Sequence, residues 1–356
     1  MQEKMRKRNQ TMSPALHNIL LSVVAILLSL VITSIIMAAA GNDLSEAYAA
    51  LIDGAFGSRN AIANTLAKTI PLLFVGLACA FSNKGGIFNI GCEGQLYIGG
   101  LAAAYTAICL QGMPRFFVIG LSVLTGMLCG ALVGGLNGFL KAKLQINEVL
   151  VAIMLNYILR YFCGYCVHGP LKDPEASVAQ TVAIGDEYML TKLVPKTQLT
   201  TALFLGAAIV ILMYFFFKKT RMGFNIRAVG ENRFAAQASG IAMSSTIILT
   251  MAVSGALAGL TGVTEVLGKT GKFVDGFSPG YGFTGIAVAV LGRNHPVGVV
   301  LSALLFGIME AGALKMSYAA GVSTSMIKVM QGLVILFVAT PNLVKFLGTE
   351  RGKKNE

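Results

Sequence analysis

KKTRMGFNIRAVGENRFAAQASGI, Lys218 to Ile241, is a polar, basic island between two strongly apolar runs. It holds five cations, Lys218, Lys219, Arg221, Arg227 and Arg233, and is punctuated by Gly223 and Gly230. A short helix signal follows. Asn232 has the side-chain oxygen that caps a helix start, accepting from a free N–H two or three residues on. Phe234, Ala235 and Ala238 fall on one face, and Gly240 suits the stop. A helix of two turns does not hold alone in water. It needs surfaces to lie on, and the flanking runs suggest a membrane on one side and a partner protein on the other.

Outward from the island the chain is apolar. Of 356 residues, 55% are hydrophobic and 12% charged, with mean hydropathy +0.72. Soluble chains carry about 25% charged residues. The fold class is therefore an all-α polytopic membrane protein with about ten transmembrane helices. The spans fall near 15–40, 62–81, 96–110, 116–140, 148–167, 201–217, 244–267, 281–291, 297–314 and 326–339. The basic start followed by an apolar run mimics a signal peptide. The run exceeds the roughly 7–15 residues of such a segment, so it reads as an uncleaved anchor.

The net charge of +12 raises nucleic acid as a partner. The cations instead gather at the ends of apolar runs, which points to the bilayer and to no nucleic acid. Seventeen of the 28 Lys and Arg fall on the island's side, which makes the chain N-in and C-in. Residues 1–14 and 342–356 are then basic cytoplasmic tails around a transmembrane domain at 15–341. Residues 168–200 form the large extracytoplasmic loop, and 218–243 the cytoplasmic one.

A second stretch breaks the apolar pattern: GGIFNIGCEGQLYIGG, Gly85 to Gly100. It is too rich in glycine and polar groups for a lipid-facing helix and reads as broken or re-entrant. An ionisable group beside a span is costly, which makes Glu93 a functional candidate. With Asn89, Gly91, Gly94 and Gln95 it would form a gate or wall of a path for a polar, uncharged solute. It would equally serve as a structural knot, accepting from the amides of its own loop. Glu265 and Glu310 lie toward helix ends, where reaching out to water is the cheaper arrangement. Asn137 and Asn156 suit hydrogen bonds between helices.

Gly126, Gly130, Gly134 and Gly138 repeat at GxxxG spacing, as do Gly255 and Gly259, which predicts close helix packing. VGLACAFSNK from Val75 matches TGIAVAVLGR from Thr284, a weak internal repeat. Cys163 and Cys166 form a CxxC without the βαβ surroundings of a redox pair, so they read as packing residues. Gly268-Lys269-Thr270 imitates the end of a P-loop, but Gly-x4-Gly-Lys needs glycine five residues before Gly268, where Val263 stands and Gly262 is one place too early. No catalytic set, metal cluster or cofactor motif stands out.

GGIFNIGCEGQLYIGG and the run from Thr220 through Ser245, with SGALAGLTG after it, resemble the permease subunits of bacterial ABC importers for nucleosides and simple sugars. The resemblance covers nearly the whole chain and is nearest to the larger of the two permeases of nucleoside importers. It implies a multi-pass protein of the bacterial cytoplasmic membrane, paired with a second, shorter permease. It also implies ABC ATPase subunits that hold ATP and Mg, and an extracytoplasmic lipoprotein that binds the substrate. It makes the island the ATPase-coupling loop, with Arg227, Gly230, Glu231, Asn232, Arg233, Phe234, Ala235, Ala236 and Gly240 as its residues. The chain would be a transport subunit and no enzyme. The competing reading is a secondary transporter in which Glu93 carries a proton.

Overall fold

Thirteen α-helices follow one another in the computed structural model, which describes residues 14–339. They are α1 (Pro14–Ala39), α2 (Leu44–Phe56), α3 (Arg59–Lys84), α4 (Cys92–Cys109), α5 (Arg115–Leu144), α6 (Glu148–His168) and α7 (Ala202–Lys219). Then come α8 (Arg221–Glu231), α9 (Arg233–Ala238), α10 (Met243–Glu265), α11 (Tyr281–Leu291), α12 (Pro296–Ala320) and α13 (Thr324–Ala339). Among the described residues, strand pairing is limited to two isolated bridges, Gln180 with Val274 and Lys192 with Thr200.

Among the described residues, six helices are long and apolar enough to cross a membrane: α3, α5, α6, α7, α12, and α10 with its extension to Thr270. Shorter apolar stretches lie in α1, α11 and α13. At 1.5 Å per residue α11 reaches roughly 16 Å, about half of a bilayer's hydrocarbon thickness. α3 runs unbroken through Pro71.

Three sequence boundaries shift. The span expected at 96–110 starts earlier, at Cys92, because two of its free N–H groups have acceptors: Asn89 Oδ1 takes the Gly91 N–H and Asn156 Oδ1 the Gly94 N–H. The turn expected at 315–325 is shorter, since α12 stays helical to Ala320 and Lys315 pairs with Asp53. The island holds two helices rather than one, so Gly223 and Gly230 lie within α8 instead of punctuating the chain. Pro341 and both basic tails beyond 14–339 lie outside the described residues.

The chain divides into two compact units. In one, formed by 14–54 and 312–339, α1 packs on α13. Tyr48 of α2 donates to the Leu30 carbonyl (3.2 Å) and bonds the Ser34 hydroxyl (2.8 Å), tying α2 to α1. In the other, Ala55–Ala311, α10 is the central helix and packs on α3, α4 and α5. A Cβ added at Gly130 would lie 2.3 Å from the Gly255 carbonyl oxygen, and one at Gly255 2.2 Å from that of Gly130. The two GxxxG faces are thus in backbone contact, as their spacing predicts. α3 packs on α11 through the two copies of the repeat: Gly76 faces Val288, Gly285 faces Val75, and Asn83 Nδ2 donates to Asn294 Oδ1 at 3.0 Å.

Candidate functional site

The island begins where Thr220 caps α8, its hydroxyl accepting from the Gly223 N–H at 3.0 Å. α8 buries Gly223, Ile226 and Val229. Asn232 breaks the helix in extended backbone and caps α9, its Oδ1 accepting from the Ala235 N–H at 3.0 Å. Gly240 follows α9 with φ +78°, the left-handed stop that glycine adopts without strain. In α9 only Ala236 is buried. Phe234, Ala235, Glu231 and Arg233 are exposed, Phe234 to 86%, and Arg227 is half-buried.

The island touches the glycine-rich break directly. Gly230 approaches so closely that an added Cβ would lie 2.1 Å from the Lys84 carbonyl oxygen. One on Gly86 (φ +67°) would meet the Gly230 Cα at 3.0 Å. Arg233 Nη2 donates to the Gly86 carbonyl at 2.9 Å. Ile87, Val229, Ala236, Ile247 and Met251 form a buried apolar cluster beneath this contact. The two stretches that stand apart in the sequence are one structure here.

The break itself is short, residues 85–91, and its polar side chain Asn89 is fully engaged. Asn89, 2% exposed, donates through Nδ2 to Ser254 Oγ (2.8 Å) and Gln95 Oε1 (3.0 Å). Its Oδ1 accepts from the Gly91 N–H (3.0 Å) and Gln95 Nε2 (3.3 Å). Ser254 donates in turn to the Ala78 carbonyl at 2.7 Å, joining α10 to α3. Asn156 of α6 donates to the Ile90 carbonyl (3.0 Å) and receives the Gly94 N–H (2.8 Å). A buried amide with its partners made is a fixed strut, since leaving one unmade costs about 1–3 kcal/mol. Asn89 and Gln95 are therefore occupied with each other.

Glu93 sits in the first turn of α4, 8% exposed. Its Oε2 accepts from the Gly282 N–H at 2.6 Å, its carboxyl also bonds the Ser278 side chain, and the Arg160 charge acts on it. The acceptor role expected of Glu93 is present, but toward α11 rather than toward its own loop. Carboxylate at a helix start is favourable, because the unpaired N–H groups there carry partial positive charge. Gly282 is required at that contact: a Cβ would lie 2.4 Å from the Glu93 nitrogen.

The loop that Glu93 holds, residues 271–280, is bonded to the long segment expected at 168–200. The Thr181 N–H donates to the Phe273 carbonyl (2.9 Å) and the Asp275 N–H to that of Ala179 (3.0 Å). Tyr97, Phe273 and Phe277 pack beneath, with ring centroids 4.9 Å apart for Tyr97 and Phe277. Glu265 departs from its expected place in water. It is 6% exposed and pairs with Lys269, because the chain leaves α10 through a π-helical turn, Val266–Thr270, that brings the ammonium back over it. Glu310 is half-buried. Asn156 makes the interhelical bonds expected of it, and Asn137 donates to the Glu148 carbonyl at 3.2 Å. Cys163 and Cys166 are free and buried.

Sequence reading found both stretches but missed Ser254, Ser278 and Gly282. They lie 165 to 189 residues from their partners, and nothing local marks them.

The fold and the site define a multi-pass helical membrane protein whose polar groups knot helices together and surface at one basic island. The chain belongs to the family described as the permease component of the branched-chain amino acid transport system, whose model matches residues 61–339. It is 34% identical over 344 residues to the guanosine ABC transporter permease NupP of Bacillus subtilis, covering 95% of this chain and 98% of that one. It is 33% identical over 340 residues to the nucleoside ABC transporter permease NupB of Lactococcus lactis, covering 93% of each. The glucose ABC transporter permease TsgB13 of Haloferax volcanii is 31% identical over 333 residues, 91% of this chain and 87% of that one. The two bacteria each hold a second related permease, NupQ and NupC, matching 69% and 71% of this chain. The chain is thus a permease subunit of an ABC importer, a transport component rather than an enzyme.

Proposed function

We propose that this permease imports nucleosides. The observation that carries the substrate is the near end-to-end likeness to two permeases named for guanosine and for nucleosides, at 34% and 33% identity. A second, shorter permease completes the path, as the paired relatives in each bacterium suggest. ATPase subunits dock on the island, and an external lipoprotein delivers the solute. About ten helices cross or enter the bacterial cytoplasmic membrane, with both termini and the island inside; the cation bias supports this orientation.

In this reading the exposed face of α9 is the contact for the ATPase. Its movement passes to the break through Gly230 and Arg233, then through Asn89 and Asn156 to Glu93 and α11. Asn89, Gly91, Gly94 and Gln95 act as the rigid part of the gate, and Glu93 as the anchor that sets the start of α11. A proton-carrying role for Glu93 is disfavoured by its engagement with Gly282 and Ser278, which ties the carboxylate to the start of α11.

The test is uptake by cells that lack their own nucleoside transporters and carry this permease with its partner subunits. Radiolabelled guanosine or uridine should enter only with ATP, and unlabelled glucose should not compete. ATP-dependent glucose uptake without nucleoside uptake would overturn the substrate.

A further inference from the structure

Between α6 and the loop that Glu93 holds lies an open cavity of about 550 Å³. That is within the roughly 300–1,000 Å³ of small-molecule sites. Tyr161 and Tyr165 line it from α6 with Arg160 and His168, and Asp275 faces them from the loop. We propose that this cavity is a nucleoside-binding station on the import path, with the tyrosines stacking on the base and Asp275 holding the ribose. The inference rests on the nucleoside reading above.

Tyr161 and Tyr165 are four residues apart, so they share one face of α6. They are 71% and 68% exposed; Tyr161 stacks on Tyr157 with ring centroids 6.5 Å apart, and the outer faces of both rings stay open. A tyrosine face stacks on purine and pyrimidine alike, which suits a permease that must release what it binds. Asp275 has two carboxylate oxygens and accepts from two neighbouring hydroxyls, the pair that a ribose presents. His168 Nδ1 bonds the Gly164 carbonyl at 2.9 Å and lies 3.8 Å from Asp275 Oδ2. Arg160 and Asp275 put opposite charges on the lining, so the cavity suits an uncharged solute. Arg160 already acts on the Glu93 carboxylate, so a nucleotide's phosphate would compete with that carboxylate for it.

The station is held open before anything binds. The backbone at Asp275 is bonded to Ala179, Phe273 is buried beneath it, and Ser278 is tied to Glu93. Such preorganisation lowers the cost of binding. Gly164 keeps the floor low: a Cβ there would sit 3.6 Å from Asp275 Oδ1, and a longer side chain would enter the space.

The experiment uses the purified importer with its partner subunits in proteoliposomes. Photolabelling with 8-azidoguanosine should place the adduct within 157–168, and guanosine or uridine should compete where guanosine monophosphate and glucose do not. Tyr161→Ala with Tyr165→Ala should lower maximal guanosine uptake by at least about fivefold. Phenylalanine at both positions should restore most of it, which a lost hydroxyl contact would not. Both residues are exposed, so thermal stability should stay unchanged. An adduct elsewhere in the chain, or full uptake by the double alanine variant, overturns the station and leaves the substrate reading standing. Absence of nucleoside uptake by the unmodified importer overturns both.

Discussion

Gly230 and Gly86 meet backbone to backbone, and the island's register depends on that contact. Gly230→Val would force its side chain into the Lys84 carbonyl, an overlap costing about 1–3 kcal/mol or more. The expected result is a permease that inserts but loses uptake. Phe234→Ala is the contrasting case. Phe234 is 86% exposed, so the isolated permease should keep its melting temperature. Its burial against an ATPase would contribute about 1.5–3 kcal/mol, so co-purification of that subunit should fall. Normal retention of the ATPase in Phe234→Ala and in Ala235→Arg together would remove the docking surface. At Glu93, replacement by alanine leaves the Gly282 N–H without its acceptor and should cost about 1–3 kcal/mol in thermal unfolding. Glu93→Gln keeps an oxygen there and should cost less. Equal loss in both variants would show that the charge, not the hydrogen bond, matters.

Among the elements, α5 and α10 are held by close approach rather than by large side chains. In a bilayer there is no hydrophobic gain from bringing two helices together, so contact between glycine faces must supply the packing. Gly130→Leu should therefore abolish a folded, detergent-stable permease. Gly120, on the same helix, faces open space. Gly120→Leu should leave expression and melting temperature near the unmodified values. Similar behaviour of the two variants in fluorescence-detected gel filtration would refute the packing account. α11 depends on its neighbours differently. It is too short to span alone, and its start is fixed by Glu93 while its body lies on α3.

For the whole molecule, orientation is the property still to be measured. In a variant with the six native cysteines replaced, Ser177→Cys should react with an impermeant maleimide on intact cells. Gln237→Cys should react only after permeabilisation. Both positions are exposed, so accessibility tracks the side of the membrane. The reverse pattern would put the island outside and end its role as an ATPase contact. The internal repeat also belongs to this scale. Val75 and Gly285, and Gly76 and Val288, meet in space with both chains running the same way, so two segments that resemble each other also pack on each other.

Much of the fold was legible because membrane helices write themselves locally. A run of apolar residues declares a span, cations mark its ends, and Asn232 and Gly240 mark the limits of α9 through their own backbone chemistry. The GxxxG faces were readable for the same reason, since spacing on one helix fixes which glycines align. The partners of polar groups were not readable. Glu93 chose Gly282, 189 residues on, over its own loop, and Gly230 met Lys84. A buried polar group must take whichever donor or acceptor the packed helices bring within about 3 Å, and spacing along the chain carries no record of that. The sequence by itself determined a helical permease with a basic island and a glycine-rich break. Only the tertiary structure decided that the two are joined, because the close approach of Gly230 to Lys84 and Gly86 and the Arg233 bond to the Gly86 carbonyl link residues about 145 apart, a distance that no local pattern spans.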